Sequence, residues 1–179
     1  MKRLKIFWVM AIACVINIMP VFGQSDSKKE KIIADSNAAK SEFIAADPLM
    51  KSIFEKSYGY VIFPNVGKGA VGVGGAAGNG TVYEGNKLIG WGKLSQLSIG
   101  FQWGGQAYRE VIFFESKAAL DRFKESKFEF AAQVSAVAVK KGASGSAKYT
   151  NGVMVFTMQK GGLMYEASVG GQKFKYEKI

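Results

Sequence analysis

Glycine dominates residues 58–80, YGYVIFPNVGKGAVGVGGAAGNG, and this stretch most constrains the possible folds. A short strand-like run at residues 60–64 leads into alternating glycine, valine and alanine. Each glycine inside a strand costs about 0.5–1 kcal/mol relative to alanine. Glycines kept at such a cost indicate close approach of other backbone, strong curvature or a bound group. The structural glycines predicted from this pattern are Gly67, Gly69, Gly72, Gly74 and Gly75.

The N-terminus has the pattern of a secretory signal peptide over residues 1–23. Three basic residues precede an apolar run at residues 6–22, and the small residue Gly23 follows it. The run is short for a membrane-spanning helix. The sequence therefore predicts an exported protein, periplasmic or associated with the outer membrane. A retained membrane anchor and a lipoprotein attached through Cys14 are the alternatives.

Residues 24–179 are long enough for a single domain with its own core. Cys14 is the only cysteine and histidine is absent, which excludes Cys- or His-based zinc sites and catalysis by a histidine base. We expect no cofactor, no metal and no catalytic residue, although abundant Ser and Lys leave a Ser-Lys hydrolase as an alternative. The predicted mature part has 21 basic and 14 acidic residues, a net charge of +7 that favours anionic partners.

Residues 24–57 are predicted to form an N-terminal helical element. Residues 25–46 contain no Gly or Pro and show apolar residues at a helical period. Asp47 and Pro48 then begin a second short helix, with Gly59 as its left-handed C-cap. Lys28, Lys29, Lys31 and Lys40 either face water while the first helix packs on the core, or meet a membrane surface.

Residues 58–179 form a glycine-rich body with a β pattern. Ser116 is expected to cap one inserted helix at residues 117–124. We predict an α+β fold in which a strongly curved antiparallel β-sheet or half-barrel carries the N-terminal helical element. The strands are expected at residues 60–63, 70–75, 80–84, 87–93, 95–104, 108–114, 130–140, 153–159 and 163–169.

Several short motifs have both a structural and a functional interpretation. Residues 67–72 match GxGxxG, but strand alternation continues where a dinucleotide site requires a helix. Among the carboxylates Glu110, Glu115 and Glu166, the first two flank one strand and are separated by roughly 17 Å, and no spacing in the sequence brings two of the three together. Trp91 fills the core or lines a ligand groove. The basic and aromatic residues 173–176 form too short a motif to indicate nucleic acid.

Taken in order, the motifs resemble the SYLF domain family. They are residues 58–64, Gly67-Lys68-Gly69, residues 71–80, residues 90–105 leading into 111–114, the predicted helix at residues 116–123, and residues 136–139 and 160–163. The resemblance implies a curved antiparallel sheet with an N-terminal helical element and binding of phospholipids, phosphoinositides in eukaryotic members. Some members also bind actin, which export makes an unlikely partner here.

We therefore expect a non-catalytic protein of the cell envelope that binds anionic phospholipid. The predicted contact residues are Lys28, Lys29, Lys31, Lys40 and Lys68. An envelope scaffold that binds another protein is the alternative, and no nucleic acid partner is expected.

Overall fold

A computed structural model describes residues 22–71, 73–98, 106–126, 136–160 and 171–179. The predicted α+β class is confirmed. The helices are α1 (Phe22–Ala46), α2 (Met50–Lys56) and α3 (Lys117–Lys124), with a 3-10 helix at Ala143–Ser146. The strands are β1 (Gly59–Val71), β2 (Val73–Glu84), β3 (Lys87–Ser98), β4 (Gln106–Phe114), β5 (Val137–Ala138), β6 (Val153–Gln159) and β7 (Gln172–Lys178).

The strands form one sheet in the order β5-β6-β4-β1-β2-β3-β7. Its neighbouring strands pair antiparallel, as predicted, except that β5 pairs with β6 in parallel. A parallel pair needs a connection of about a dozen residues or more to bring the chain back to the same end. Residues 139–152, which include the 3-10 helix, supply that connection.

Contacts between distant strands show how strongly the sheet curves. Strands β1, β2 and β3 separate β4 from β7 in the sheet, yet Gln172 Nε2 on β7 donates a hydrogen bond of 2.9 Å to Glu110 Oε2 on β4. The Phe63 and Phe174 rings, on β1 and β7, lie 5.8 Å apart. The sheet therefore curls around a packed interior, which confirms the predicted curved sheet.

Each face of the sheet carries its own hydrophobic cluster. On the concave face, Phe63 and Phe174 pack with Phe123 of α3. On the convex face, Phe43 of α1 and Phe54 of α2 pack among buried strand residues. The helical element thus covers the outside of the sheet, and α3 helps to fill its inside.

The glycine-rich stretch is a long hairpin of β1 and β2. The prediction of one strand over residues 70–75 is wrong, because the chain reverses between Val71 and Val73, which are paired across the hairpin. Residues 69–78 contain only glycine, alanine and valine, so the sequence does not mark the turn. Residue 72 lies outside the described residues.

Close packing explains several glycines of the sheet. A Cβ at Gly80 would lie 2.1 Å from the Ile62 carbonyl oxygen, and one at Gly92 would lie 3.1 Å from Val61. A Cβ at Gly90 would lie 2.3 Å from the Tyr176 ring. At these positions the bare glycine backbone is covered by other residues of the domain.

The ends of the short helices were predicted with mixed success. Ser116 Oγ accepts a hydrogen bond from the Ala119 amide, so the N-cap of α3 is confirmed. The prediction that Gly59 is a left-handed C-cap is wrong. Helix α2 ends instead at Ser57, which is extended, and Gly59 begins β1 where a Cβ would lie 2.6 Å from the Tyr83 carbonyl oxygen.

Strand β7 is absent from the predicted strands, although its residues alternate between buried and exposed positions. Strand β3 runs on to Ser98 as one strand across the two predicted at residues 87–93 and 95–104. The predicted strand at residues 163–169, and most of the one at 130–140, lie outside the described residues.

Candidate functional site

A cleft of about 170 Å³ lies between the first part of α1 and the outer face of β2 and β3. It is lined by charged, aromatic and small residues from four elements. They are Lys28, Lys29 and Ile32 of α1, Asn79 and Gly80 of β2, Trp91, Gly92 and Lys93 of β3, and Glu177 of β7.

Helix α1 forms one wall of the cleft through its packing on the sheet. Ser36, Ala39 and Phe43 are buried, and their helical spacing extends back to the half-buried Ile32. This face places Lys29 toward the sheet, where its Nζ lies 5.6 Å from the centre of the Trp91 ring. Lys28 is exposed beside it.

Strand β3 forms the opposite wall, because its side chains alternate between the two faces of the sheet. Gly92 and Leu94 face the concave core, where any Cβ at Gly92 meets Val61 and Phe63. Trp91 and Lys93 therefore face the other way, toward α1. Trp91 is half-buried and lines the cleft, so the ligand-lining alternative fits its position better than the core-filling one.

Strand β7 places one acidic and one basic side chain beside this wall. Glu177 is the strand partner of Trp91, and Lys175 is the strand partner of Lys93. Lys93 Nζ lies 3.5 Å from Glu177 Oε2, and both side chains are more than half exposed. Since an exposed ion pair contributes only about 0–1 kcal/mol, Lys93 and Glu177 can exchange this contact for a ligand at little cost.

The structure separates the lysines that the sequence grouped together. Lys28 and Lys29 line the cleft. Lys31 does not, and its Nζ lies 3.3 Å from Asp35 Oδ2 one helical turn away. Lys68 is on β1, paired with Ala76 of β2, but its side chain lies outside the described part of the chain.

Lys40 lies apart from these lysines, against the convex hydrophobic cluster. Its Nζ donates a 2.9 Å hydrogen bond to the Tyr60 hydroxyl and lies 4.8 Å from the centre of the Phe54 ring. Burial lowers the pKa of Lys40 and raises the pKa of Tyr60 to about 12. This ammonium group is partly buried and already contacts two aromatic side chains of the domain.

The predicted structural glycines also differ from one another. A Cβ at Gly67 would have no atom within 4 Å, whereas one at Gly75 would lie 3.1 Å from the Gln96 carbonyl oxygen. Gly69 pairs with Gly75 across the hairpin, and Gly74 pairs with Ala70. Gly72 lies outside the described residues.

The alternative motifs do not form sites among the described residues. The GxGxxG match runs along β1 into the hairpin and is not followed by a helix. Residues 173–176 alternate on β7, so the two lysines and the two aromatic rings face opposite sides. Glu110 is fully buried and Glu115 is exposed, while Glu166 falls outside the described ranges.

Two further properties concern only the part of the chain that the structure describes. No helix there is both long enough and apolar enough to cross a membrane. No group of three or more His, Cys, Asp or Glu side chains there could hold a metal ion.

Sequence reasoning missed Lys93 and Glu177 as residues of the cleft. Lys93 follows Trp91 by two residues in a predicted strand, and this spacing alone places both on one face. For Glu177 the signal was the polar and apolar alternation of residues 172–177. Neither signal shows that β7 pairs with β3, which is a contact between distant parts of the sequence.

Comparison with known proteins gives two matches. Residues 95–178 match the family described as "Ysc84: Las17-binding protein actin regulator", whose domain is also called SYLF. A protein of Aeromonas veronii named beta cell expansion factor A is 32% identical to the chain over 163 residues, which are 84% of this chain and 59% of that protein. The chain thus spans about three fifths of the length of this relative.

Proposed function

The chain belongs to the SYLF family, and from this premise we propose that it is a non-catalytic protein that binds the anionic surface of phospholipid membranes through its basic cleft. The observation that carries the proposal is the convergence of Lys28, Lys29 and Lys93 around Trp91. These residues come from a helix and a strand that are distant in sequence.

The charge of the cleft supports an anionic ligand. Three lysines and one glutamate line it, so its net charge is positive. Lys175 lies directly opposite Lys93 on β7 and adds a further positive charge at the rim. Each lysine near an anionic membrane surface contributes on the order of 1 kcal/mol.

The half-buried Trp91 supports a membrane surface over a purely aqueous anion. Indole has a large apolar body and one polar N–H group, and it suits the boundary between headgroups and acyl chains. Ile32 adds apolar surface on the opposite wall of the cleft. The cleft therefore offers both charge and apolar area to a phospholipid.

The absence of histidine from the whole sequence, and of cysteine after Cys14, supports binding without catalysis. The N-terminal pattern of basic and apolar residues supports export to the periplasm or the outer membrane. In that location actin and nucleic acid are poor candidates as partners.

Co-sedimentation with vesicles tests the proposal. The full chain is mixed with phosphatidylcholine vesicles that contain or lack phosphatidylglycerol. We expect binding that needs the anionic lipid and weakens with salt, and a Lys28→Ala, Lys29→Ala, Lys93→Ala variant that partitions roughly 100-fold less.

The control is a variant with Lys140→Ala, Lys141→Ala and Lys148→Ala, which removes the same charge from three exposed positions outside the cleft. It should keep most of the binding. An equal loss of binding in both variants would show that the cleft is not the binding site. Binding that does not depend on the anionic lipid would contradict the proposal.

A second candidate function is a scaffold that binds a protein partner, because the description of the matching family names binding to a protein, Las17. A scaffold predicts a stable protein partner in pull-down experiments and no dependence on lipid.

A further inference from the structure

Glu177 is an acidic residue in an otherwise basic cleft. It is the strand partner of Trp91, and facing residues of paired strands have Cβ atoms about 4.5–5.5 Å apart on the same side of the sheet. The Glu177 and Trp91 side chains therefore leave the sheet side by side, and the Glu177 carboxylate contacts Lys93 Nζ at 3.5 Å. A cleft that binds only negatively charged ligands gains nothing from a carboxylate at this place.

A positively charged group already occupies the face of Trp91. The Lys29 Nζ lies 5.6 Å from the ring centre, within the range of a cation–π contact. The ring and the adjacent Glu177 carboxylate together form a place for an ammonium group. In the structure the Lys29 ammonium occupies the part of this place that lies over the ring.

We propose that the cleft recognises a headgroup carrying both a phosphate and a primary ammonium group, as in phosphoethanolamine. This inference rests on the proposed function. The ligand ammonium lies between Trp91 and Glu177, and the phosphate lies between Lys28 and Lys93. Lys29 leaves the ring as the ligand ammonium arrives and turns to the phosphate.

The exchange leaves each charge in the cleft with a partner of opposite sign. The ion pair between Lys93 and Glu177 breaks. Lys93 then contacts the phosphate, and Glu177 contacts the ligand ammonium. A headgroup with a hydroxyl in place of the ammonium binds the lysines alone and gives Glu177 no new cation. Selectivity for the ammonium thus depends on Trp91 and Glu177, whereas affinity for the phosphate depends on the lysines.

Calorimetric titration of the full chain with two soluble headgroups tests the inference. We expect phosphoethanolamine to bind about threefold to tenfold more tightly than glycerol 3-phosphate, because its ammonium pairs with Glu177 and frees Lys29 for the phosphate, which adds two exposed ion pairs. Glu177→Gln should remove this preference and leave glycerol 3-phosphate bound at least as well. Trp91→Leu should reduce this preference about threefold, because Lys29 is then free to reach the phosphate of either headgroup.

The control is Glu115→Gln, which removes a negative charge at an exposed position after β4 and should keep the preference. Equal binding of the two headgroups, or a preference that survives Glu177→Gln, would overturn the inference.

Vesicle binding, measured beside headgroup binding, distinguishes a failure of this inference from a failure of the proposed function. Phosphatidylglycerol vesicles bound without any preference between the soluble headgroups would leave the proposed function standing and overturn the inference. A soluble preference lost in Glu177→Gln, with no vesicle bound, would support headgroup recognition and contradict membrane binding.

Discussion

At the scale of single residues, Gly80 and Gly67 show that glycines of one hairpin have different reasons to be glycine. A Cβ at Gly80 would meet the Ile62 carbonyl oxygen at 2.1 Å and the Phe63 ring at 2.8 Å. That carbonyl belongs to the β1–β2 ladder, where Ile62 faces Thr81, and has little freedom to move. A Cβ at Gly67 would meet nothing within 4 Å.

We expect Gly80→Ala to destabilise the fold by about 3 kcal/mol, the upper range for overpacking, because backbone must shift. Gly67→Ala should change stability little, or increase it by up to about 1 kcal/mol, since alanine restricts the unfolded chain. Urea unfolding of the two variants measures both effects. Similar stability of the two variants would show that close approach does not explain Gly80.

The lysines show what a residue-level pattern can and cannot predict. Lys28 and Lys29 were predicted as contact residues and line the cleft, a position that favours the prediction without testing it. Lys40 was predicted with them because it lies on the same helix. Its contact with Tyr60, twenty residues away, depends on how α1 crosses β1 and cannot be deduced from helical spacing.

At the scale of elements, the buried Asp47 joins α2 to the 3-10 helix. Its Oδ1 accepts a 3.2 Å hydrogen bond from the Leu49 amide before α2. Its Oδ2 accepts hydrogen bonds from the Ser144 amide at 2.9 Å and the Ser144 hydroxyl at 2.7 Å. Burial alone raises the pKa of Asp47, but these hydrogen bonds outweigh it, so the pKa lies below its usual value.

We expect Asp47→Ala to lower the free energy of unfolding by about 1–3 kcal/mol at pH 7, because the buried Ser144 groups lose their acceptor. The native pKa is depressed, so the contribution of the carboxylate is present above its ordinary pKa near 4 and is lost as the pH falls through the native value. Urea unfolding between pH 7 and pH 3 measures this. The exposed Asp26→Ala is the control, and a difference from the wild type that does not shrink in acid would contradict the argument.

Local information predicted some elements well. The cap and inward face of α3 depend on residues within one or two turns, and both were predicted from Ser116, Leu120 and Phe123. Strand β6 matches its predicted limits, residues 153–159. The hairpin reversal after Val71 was missed because residues 69–78 contain only glycine, alanine and valine and no typical turn residue pair such as Asn-Gly.

At the scale of the whole molecule, the sequence predicted the curvature but not what stabilises it. The glycine content indicated a curved sheet. The contact that joins its distant strands involves Glu110 and Gln172, which are separated by 62 residues in sequence and by three strands in the sheet. The cleft likewise depends on a contact between distant parts of the sequence, since Glu177 lies opposite Trp91 only because β7 pairs with β3.

The contact between β4 and β7 leads to a prediction for the whole fold. Glu110 and Gln172 are both fully buried on the concave side, and Gln172 also donates to the Tyr108 hydroxyl at 3.2 Å. We expect Gln172→Leu to cost about 1–3 kcal/mol, because the buried Glu110 carboxyl loses the hydrogen bond from Gln172. Glu110→Leu together with Gln172→Leu should cost less than the sum of the two single substitutions, since replacing both polar partners by apolar groups leaves neither without the hydrogen bond that they share. A double-mutant cycle by urea unfolding measures this coupling. Simple additivity would show that the two residues stabilise the curved sheet independently, in contradiction to a direct contact across its interior.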